Sequence, residues 1–443
     1  MLSSLQHPAR LVPIAFFFTI LVGTALLMLP AATAGSASAP FLTALFTATS
    51  AVCVTGLIVV DTPTYWSGLG QALILLLIQV GGLGIMTGAT MLGLLVTRRL
   101  KLNRRLIAQA ETKTFALGEV SSVLRMILIT TASIEIVIGA ILTLRFHFAY
   151  DQPWGTALWN GVFHSVSAFN NAGFARYTDN VMSFALDPLV LIPLMLAVTL
   201  GGIGFPVLYE LRRELFVPDK WSLHTKITLL GYAILLVIGI LAVLGFEWSN
   251  PKTLGPLDFG GKFLSASFHS VVTRTAGFNS LDIAQLRPET LLMSDFLMLV
   301  GGGSAGTAGG IKVATFLVLG MIVWAEVRAE PDPSAFGRRL SSEVQRQALT
   351  VVLLALGVVS IGTLILLSVS PFDLSVVLFE VISAFATVGL STGITAALPT
   401  SGLVTLIVLM FVGRVGTVTV ATALALKKGR RPYRYPQERP IVG

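Results

Sequence analysis

Charged side chains are scarce in this 443-residue sequence: Asp, Glu, Lys and Arg make up 12% of it, whereas hydrophobic residues make up 54%. A soluble globular domain carries about 25% charged residues, so this composition excludes a soluble protein and indicates an integral membrane protein. The net charge of +8 would suggest a nucleic-acid partner in a soluble protein. In a membrane protein, basic cytoplasmic loops explain it better, and we expect no binding of nucleic acid.

Cysteine is almost absent, since Cys53 is the only one, and this excludes an internal disulfide and a multi-cysteine metal site. The sequence also lacks a phosphate-binding loop, a dinucleotide-binding glycine motif and a cytoplasmic module long enough to bind a nucleotide. His147, His164 and His269 have no second ligand at helical spacing, so we do not expect an enzyme. No cleavable signal peptide is evident, and residues 11–29 are expected to form a retained first helix.

A short glycine-centred strip occurs four times, at intervals of roughly 110 residues, which indicates a repeat architecture. The strips are Val52–Leu57, Phe169–Phe174, Thr273–Phe278 and Phe385–Leu390. Each follows a mostly apolar run of roughly a dozen residues, too short to cross a bilayer and typical of a re-entrant half-helix. Stretches long enough to span the membrane are predicted at 11–30, 69–97, 124–148, 188–210, 226–247, 291–324, 346–369 and 402–426.

The predicted fold is an all-α integral membrane protein with four parallel span–pore-loop–span repeats around one central ion pore. The repeats are expected at residues 1–105, 106–215, 216–335 and 336–443, the third with a broken second span and the fourth with a cytoplasmic C-terminal tail. Most of the 30 Lys and Arg residues fall in segments that are cytoplasmic if the N-terminus is inside. We therefore expect both termini in the cytoplasm of a multi-pass protein.

Backbone carbonyl oxygens can replace the water shell of a cation, and glycine permits the backbone conformation that this requires. The four strips contain no Asp or Glu, which favours a monovalent cation over a divalent one. The predicted filter comprises Val54, Thr55, Gly56, Asn170, Asn171, Ala172, Gly173, Arg274, Thr275, Ala276, Gly277, Ala386, Thr387, Val388 and Gly389. Potassium is expected at the carbonyls of Val54, Thr55, Asn171, Ala172, Thr275, Ala276, Thr387 and Val388.

A second glycine motif recurs in the second spans, at Gly81–Gly84, Gly201–Gly204, Gly301–Gly303 and Gly413–Gly416. Close helix packing and a cavity kept open below the filter both explain it. In the third repeat, six glycines in ten residues cannot hold a regular helix, so we expect a movable gate there. The predicted gate comprises Gly301, Gly302, Gly303, Ser304, Ala305, Gly306, Thr307, Ala308, Gly309, Gly310, Lys312 and Arg414, whose charge would lie on the ion's route.

These residues together resemble the Trk/Ktr/HKT superfamily of potassium transport proteins, most closely the membrane subunit of the bacterial Ktr uptake system. The resemblance covers essentially the whole chain, and two extra N-terminal helices of the TrkH type are absent. It implies potassium conduction through one filter per subunit, a gate in the third repeat, a homodimer and a cytoplasmic nucleotide-binding ring of the RCK type (KtrA-like), in a bacterial cell membrane. Glycine at all four filter positions favours potassium over sodium, and sodium as a coupling or activating ion stays open.

Two other classes of function fit the sequence less well. A secondary transporter for a larger solute would be expected to show inverted repeats and polar clusters within its spans. The repeats here are parallel, and Glu135 is an exception among spans that nearly lack acids. A membrane enzyme would need convergent ligands, whereas His164 and His269 precede strips in different repeats and are better explained as structural residues of the half-helices.

Overall fold

The structure is a computed structural model that describes residues 8–35, 37–104 and 120–416. Helices account for most of the described chain. The first half contains α1 (Pro8–Leu27), α2 (Phe41–Val52), α3 (Thr62–Tyr65), α4 (Gly68–Arg104), α5 (Val120–Tyr150), α6 (Trp154–Phe169), α7 (Pro188–Gly202) and α8 (Phe205–Glu214).

The second half repeats this alternation of long and short helices. It contains α9 (Leu223–Glu247), α10 (Phe259–Val272), α11 (Pro288–Leu299), α12 (Val313–Val327), α13 (Ser342–Val369), α14 (Leu374–Phe385) and α15 (Thr400–Phe411), which continues as a π-helix over Val412–Gly416. The antiparallel strands β1 (Ser334–Ala335) and β2 (Arg338–Arg339) form a small hairpin between α12 and α13. Side-chain caps fix several helix starts; for example, Asp258 accepts a hydrogen bond from the backbone N–H of Gly261.

Four helical segments in the described part of the chain are long and apolar enough to cross a membrane. They are Gly68–Thr90, Val123–Tyr150, Leu223–Glu247 and Ser342–Val369, and they coincide with four of the eight predicted spans. Their outward faces carry large apolar side chains such as Ile136 and Leu364, which are 70% and 68% exposed. Such apolar surfaces suit a lipid environment.

The predicted span at 188–210 is apolar enough to cross a membrane but is broken. The structure has α7 and α8 there, bent by 103° at a break between Gly202 and Phe205. Gly204 adopts φ +102° at this break, and Pro206 lies in the first turn of α8, where its missing N–H costs no helical bond. The chain therefore turns sharply inside an apolar run that reads as continuous.

The remaining three predicted spans are shorter or divided helices. Segment 11–30 corresponds to α1, and segment 291–324 is divided into α11 and α12 by residues 300–312, as the glycine content indicated. Segment 402–426 begins with α15 and its π-helical continuation. Residues beyond 416, including the predicted C-terminal tail, lie outside the described residues.

The four predicted half-helices are α2, α6, α10 and α14, with 12, 16, 14 and 12 residues. Their C-terminal halves are buried in the centre of the molecule. The largest buried cluster joins α2 to α14 through residues such as Phe46 and Phe379, and a second joins α6 to α10 through Phe169 and Phe268. The long helices thus surround a centre built from the short ones, and this arrangement brings the strips together.

Candidate functional site

The four strips share one unusual backbone conformation. Two residues before each glycine, φ is positive: 55° at Val54, 58° at Asn171, 73° at Thr275 and 52° at Thr387. The glycines themselves have φ of 94°, 70°, 70° and 93° in chain order. Positive φ is strained for β-branched residues such as Val and Thr and persists only where the surroundings impose it. The same conformation recurs at four equivalent positions, three of them occupied by Val or Thr, and this makes the strips the candidate functional site.

Gly56, Gly173, Gly277 and Gly389 form a closed ring, which we call the glycine ring. A Cβ built on each glycine would collide with the next strip: 2.3 Å from Ala172 O for Gly56, 2.8 Å from Ala276 O for Gly173, 2.5 Å from Val388 O for Gly277 and 2.1 Å from Thr55 O for Gly389. The carbonyls that precede the four glycines thus each lie against a neighbouring glycine. Only residues without a side chain fit this ring, and it brings the predicted filter strips together.

One cavity of about 330 Å³ is lined by all four glycines, and we call it the ring cavity. Its wall includes Asp61, whose carboxylate accepts hydrogen bonds from Thr64 (2.6 Å) and Thr178 (3.0 Å). Tyr177 also lines it, and burial raises the pKa of this phenol, which stays neutral at pH 7. The ring cavity therefore carries acidic and neutral oxygen atoms next to the glycine ring.

Three of the strips are supported by serines outside the predicted filter. Ser50 Oγ accepts from the N–H of Gly56 (3.0 Å), and Ser383 Oγ accepts from that of Gly389 (3.1 Å). Ser167 Oγ donates to the carbonyl of Phe174 (2.7 Å). Each serine lies six residues before its strip glycine, a fixed offset that the sequence displays, whereas the third repeat has Val271 there.

Two predicted filter residues direct their side chains away from the glycine ring. The Asn170 amide donates to Gln79 (2.8 Å) and Glu135 (3.1 Å). The guanidinium of Arg274 donates to the Tyr232 carbonyl (2.8 Å) and lies 4.7 Å from the centre of the Tyr232 ring. These side chains fasten the strips to neighbouring helices, so any role in binding an ion falls to their backbone.

The segment Gly301–Gly310, which we call the glycine loop, is largely buried against the break between α7 and α8. Gly303 N–H donates to the Gly202 carbonyl (2.8 Å), and Thr307 N–H donates to that of Gly201 (3.1 Å). Val300 and Ile311 form a parallel bridge that closes the base of the loop. The second and third repeats therefore interrupt their helices at one place and satisfy each other's backbone groups there.

The glycine loop contacts two strips from one side. Thr307 Oγ1 donates to the Phe169 carbonyl (3.2 Å). In the orientation that satisfies both of its side-chain atoms, the Asn171 amide nitrogen donates to Thr307 Oγ1 (3.0 Å) and to the Val198 carbonyl (3.2 Å). A Cβ on Gly309 would lie 2.1 Å from Thr387 Oγ1, so the loop also lies directly against the fourth strip.

Both predicted cations of the gate bind carbonyls of the glycine loop. Arg414 Nη1 donates to the Thr307 carbonyl, while its Nε and Nη2 have no partner among the described residues. Arg414 is 2% exposed. Lys312 Nζ donates to the carbonyl of Ala308 (2.6 Å). The structure thus places these two positive charges beside the loop, and Arg414 brings the fourth quarter of the chain against the third.

The glycines of the second motif lie in close packing contacts. A Cβ on Gly81, Gly201 or Gly413 would lie 2.0, 1.8 or 1.6 Å from the last carbonyl of α2, α6 or α14, respectively. The space beside Gly82 is filled by Asn170, whose Oδ1 lies 1.9 Å from where a Cβ would stand. The expectation that these glycines leave an open cavity is therefore wrong at Gly82, and the motif lets the second helices approach the ends of the half-helices.

The two histidines of the half-helices make structural hydrogen bonds. His164 Nδ1 bonds to the Asn160 carbonyl (2.8 Å), and His269 Nε2 bonds to Ser294 Oγ (2.9 Å). Among the described residues, no group of three or more His, Cys, Asp or Glu side chains is placed to hold a metal ion.

Comparison with known proteins identifies the family of this chain. The family model for TrkH, described as a cation transport protein, matches residues 9–430. The chain belongs to the TrkH family of cation transport proteins. The resemblance stated from the sequence is thereby confirmed.

Relatives of this TrkH family member match it over nearly its whole length. Ktr system potassium uptake protein B of Bacillus subtilis is 38% identical over 436 residues, 98% of this chain and 97% of the relative. The protein of the same name from Vibrio alginolyticus is 37% identical, covering 98% and 94%. Potassium/sodium uptake protein NtpJ of Enterococcus hirae is 36% identical, covering 98% and 97%.

The potassium transporter TrkH from Vibrio parahaemolyticus, known from a crystal structure, shares the fold of this chain. The TM-score is 0.69 at 18% sequence identity, covering 92% of this chain and 84% of that one. Together with the apolar helices, this likeness establishes a multi-pass membrane protein of the TrkH fold.

Proposed function

We propose that this TrkH family member is the potassium-translocating membrane subunit of a Ktr-type uptake system. Four span–pore-loop–span repeats, at 1–105, 106–215, 216–335 and 336–443, would surround one pore whose filter is built from the strips. The glycine ring carries this proposal, because a carbonyl from each of four equivalent positions lies against the glycine of a neighbouring strip there. Relatives with names that state potassium uptake support the choice of ion.

The electrostatics of the site suit a dehydrated monovalent cation. The four half-helices end at the strips, and a helix C-terminus carries partial negative charge. The strips hold no carboxylate. The hydroxyls of Thr55, Thr275 and Thr387 are buried and lack a partner among the described residues. Neutral oxygen atoms that protein groups do not satisfy are available to an ion.

The glycine loop is proposed as the gate of this pore. It contacts Asn171 and Thr387, the residues with positive φ in the second and fourth strips. Arg414 holds the loop through the Thr307 carbonyl. Opening would require the loop to move, or Arg414 to swing aside or have its charge compensated. A cation passing about 4 Å from a guanidinium would meet a repulsion of about 4 kcal/mol at an effective dielectric of 20.

Assembly and location are proposed from the resemblance. The subunit would form a homodimer in a bacterial cell membrane with both termini in the cytoplasm. A KtrA-like nucleotide-binding ring of the RCK type would dock on its cytoplasmic face. Sodium is proposed as a coupling or activating ion, because the Enterococcus hirae relative is named a potassium/sodium uptake protein.

Substitution of a ring glycine tests the proposed filter. Gly277→Ser and Gly56→Ser should each weaken the discrimination between potassium and sodium, because a Cβ at either position collides with a neighbouring carbonyl. Competition of potassium and sodium against rubidium uptake in proteoliposomes measures this. Wild-type discrimination in both variants, at equal amounts of folded protein, would remove the filter assignment.

A further inference from the structure

Glu380 is a fully buried carboxylate on α14 that the proposed filter and gate do not use. Ser391 Oγ donates to its two oxygen atoms at 3.0 and 3.1 Å, and Thr395 Oγ1 donates to Oε1. The backbone N–H of Thr392 also donates to it. No Lys or Arg among the described residues forms a salt bridge with it. Neutral donors therefore satisfy the oxygen atoms of this carboxyl group, which is otherwise costly to bury.

The partners of Glu380 belong to the wall of the ring cavity. Ser391 lies two residues after the ring glycine Gly389, and Ser391, Gly393 and Thr395 all line the cavity. Ser391 Oγ also accepts from the N–H of Gly393 (2.9 Å), and the oxygen atoms of Ser391 and Thr395 lie 3.1 Å apart. Because both hydroxyl protons are donated to the carboxylate, one lone pair of Ser391 Oγ and the lone pairs of Thr395 Oγ1 are directed away from it. A hydroxyl that donates to a charged acceptor is also polarised and becomes a better ligand for a cation.

The second repeat shows that a neutral residue can perform the structural part of this role. His164 lies nine residues before Gly173, as Glu380 does before Gly389. Its Nε2 accepts from the N–H of Arg176 (3.4 Å), three residues after the glycine, while its Nδ1 donates to the Asn160 carbonyl. A ring that accepts at one nitrogen and donates at the other is neutral. Holding the segment after the strip thus does not require a charge.

We propose that Glu380 is a positioning residue for a monovalent-cation site in the ring cavity, formed by the hydroxyl oxygens of Ser391 and Thr395. The carboxylate orients the two hydroxyls and adds a negative charge behind them, which salt screens little because it is buried. A partly hydrated cation binds there before it enters the glycine ring. This inference rests on the proposed function and concerns the affinity with which the protein binds the transported cation.

The test compares Glu380→Gln with Glu247→Gln in rubidium uptake measured over a range of rubidium concentrations. Glutamine keeps the shape of the side chain and removes its charge. Glu247 is equally buried and accepts from Thr253 and Thr290 at 2.5 Å, but none of its partners lines the ring cavity. We expect a roughly tenfold higher half-saturating concentration for Glu380→Gln with an unchanged maximal rate. Glu247→Gln should keep the wild-type value.

Two results would overturn the inference. A wild-type half-saturating concentration in Glu380→Gln would show that the carboxylate is only an anchor, and an equal rise in both variants would show a general effect of disturbing a buried acid. If Glu380→Gln does not give folded protein, the double variant Ser391→Ala, Thr395→Val is used. It should raise the same concentration, and an unchanged value would refute the site.

The wild-type protein separates this inference from the proposed function. If the wild type takes up rubidium and Glu380→Gln does not change the half-saturating rubidium concentration, the cation site alone is rejected. Absence of rubidium uptake by folded wild-type protein rejects the proposed function, and the inference with it.

Discussion

Replacing Gly389 by alanine perturbs the glycine ring at a single contact, and Gly393 provides a matched control. Both residues have φ +93°, and both line the ring cavity. A Cβ on Gly389 would lie 2.1 Å from Thr55 O, whereas a Cβ on Gly393 has nothing within 4 Å. The two substitutions therefore share the backbone strain of a side chain at positive φ, about 1–2 kcal/mol, and differ only in the collision.

The collision sets the expected size of the effect. Thr55 O and the new methyl group must separate by about 1 Å to reach van der Waals contact, which displaces one carbonyl of the ring. We expect Gly389→Ala to reduce the preference for potassium over sodium by roughly tenfold. Gly393→Ala should keep the wild-type preference, although it loses a similar amount of thermal stability in detergent.

The assay is rubidium uptake into proteoliposomes in the presence of increasing potassium or sodium. The ratio of the two inhibitory concentrations gives the preference, and thermal unfolding of the same samples gives the shared cost of strain. Equal losses of preference in the two variants would refute the reasoning, because they would trace the effect to backbone strain and not to the ring. So would an unchanged preference in Gly389→Ala.

Three further predictions concern the gate, the support of the strips and the packing behind them. Arg414→Ala should raise rubidium flux by roughly tenfold or more, with the preference for potassium over sodium retained. Deleting several residues of 303–309 should likewise raise flux, and it should make uptake less dependent on a cytoplasmic partner. Loss of transport in both variants, as folded protein, would place the gate elsewhere. Ser383→Ala leaves the Gly389 N–H without its acceptor. We therefore expect a loss of about 1–3 kcal/mol in stability and a weaker preference for potassium over sodium in the competition assay. An unchanged melting temperature and an unchanged preference would argue against the supporting role of Ser383. Gly81→Val should lower the melting temperature in detergent, because a side chain there meets Val52 O at 2.0 Å and overpacking costs about 1–3 kcal/mol; a wild-type melting temperature would contradict the close packing.

The sequence predicted the half-helices and the strips because each depends on local features that recur. A short apolar run limits helix length, and a glycine at the same place in four repeats marks a common backbone. The break in the third repeat was also predictable, since six glycines in ten residues remove the helical preference. The family followed from the same residues.

The bend at 202–205 was missed because apolar composition does not distinguish a continuous helix from a broken one. Gly204 and Pro206 were visible in the sequence, yet a single glycine in a membrane helix is usually a packing residue. The break is stabilised by bonds from the glycine loop about 100 residues later, such as Gly303 N–H to the Gly202 carbonyl. A contact of this kind has no local signal.

The arrangement of the site also depends on tertiary contacts. The sequence showed four glycines but not that each lies against the carbonyl of the next strip. Arg414 stands where the other repeats have glycine, which indicated a position near the gate. The sequence did not show that Arg414 bonds to the Thr307 carbonyl. The supporting serines, such as Ser50, have a fixed offset from the strip glycines, and serine is too common in half-helices for that offset to stand out without the structure.

Rubidium uptake by purified wild-type protein in proteoliposomes, with potassium or sodium as competitor, tests the central claim most directly. The account predicts uptake that potassium inhibits at concentrations similar to those of rubidium, while sodium inhibits only at much higher concentrations. A parallel measurement with and without sodium shows whether sodium couples to or activates transport. Uptake that sodium and potassium inhibit equally, or no uptake by folded protein, would contradict the claim that the glycine ring is a potassium filter.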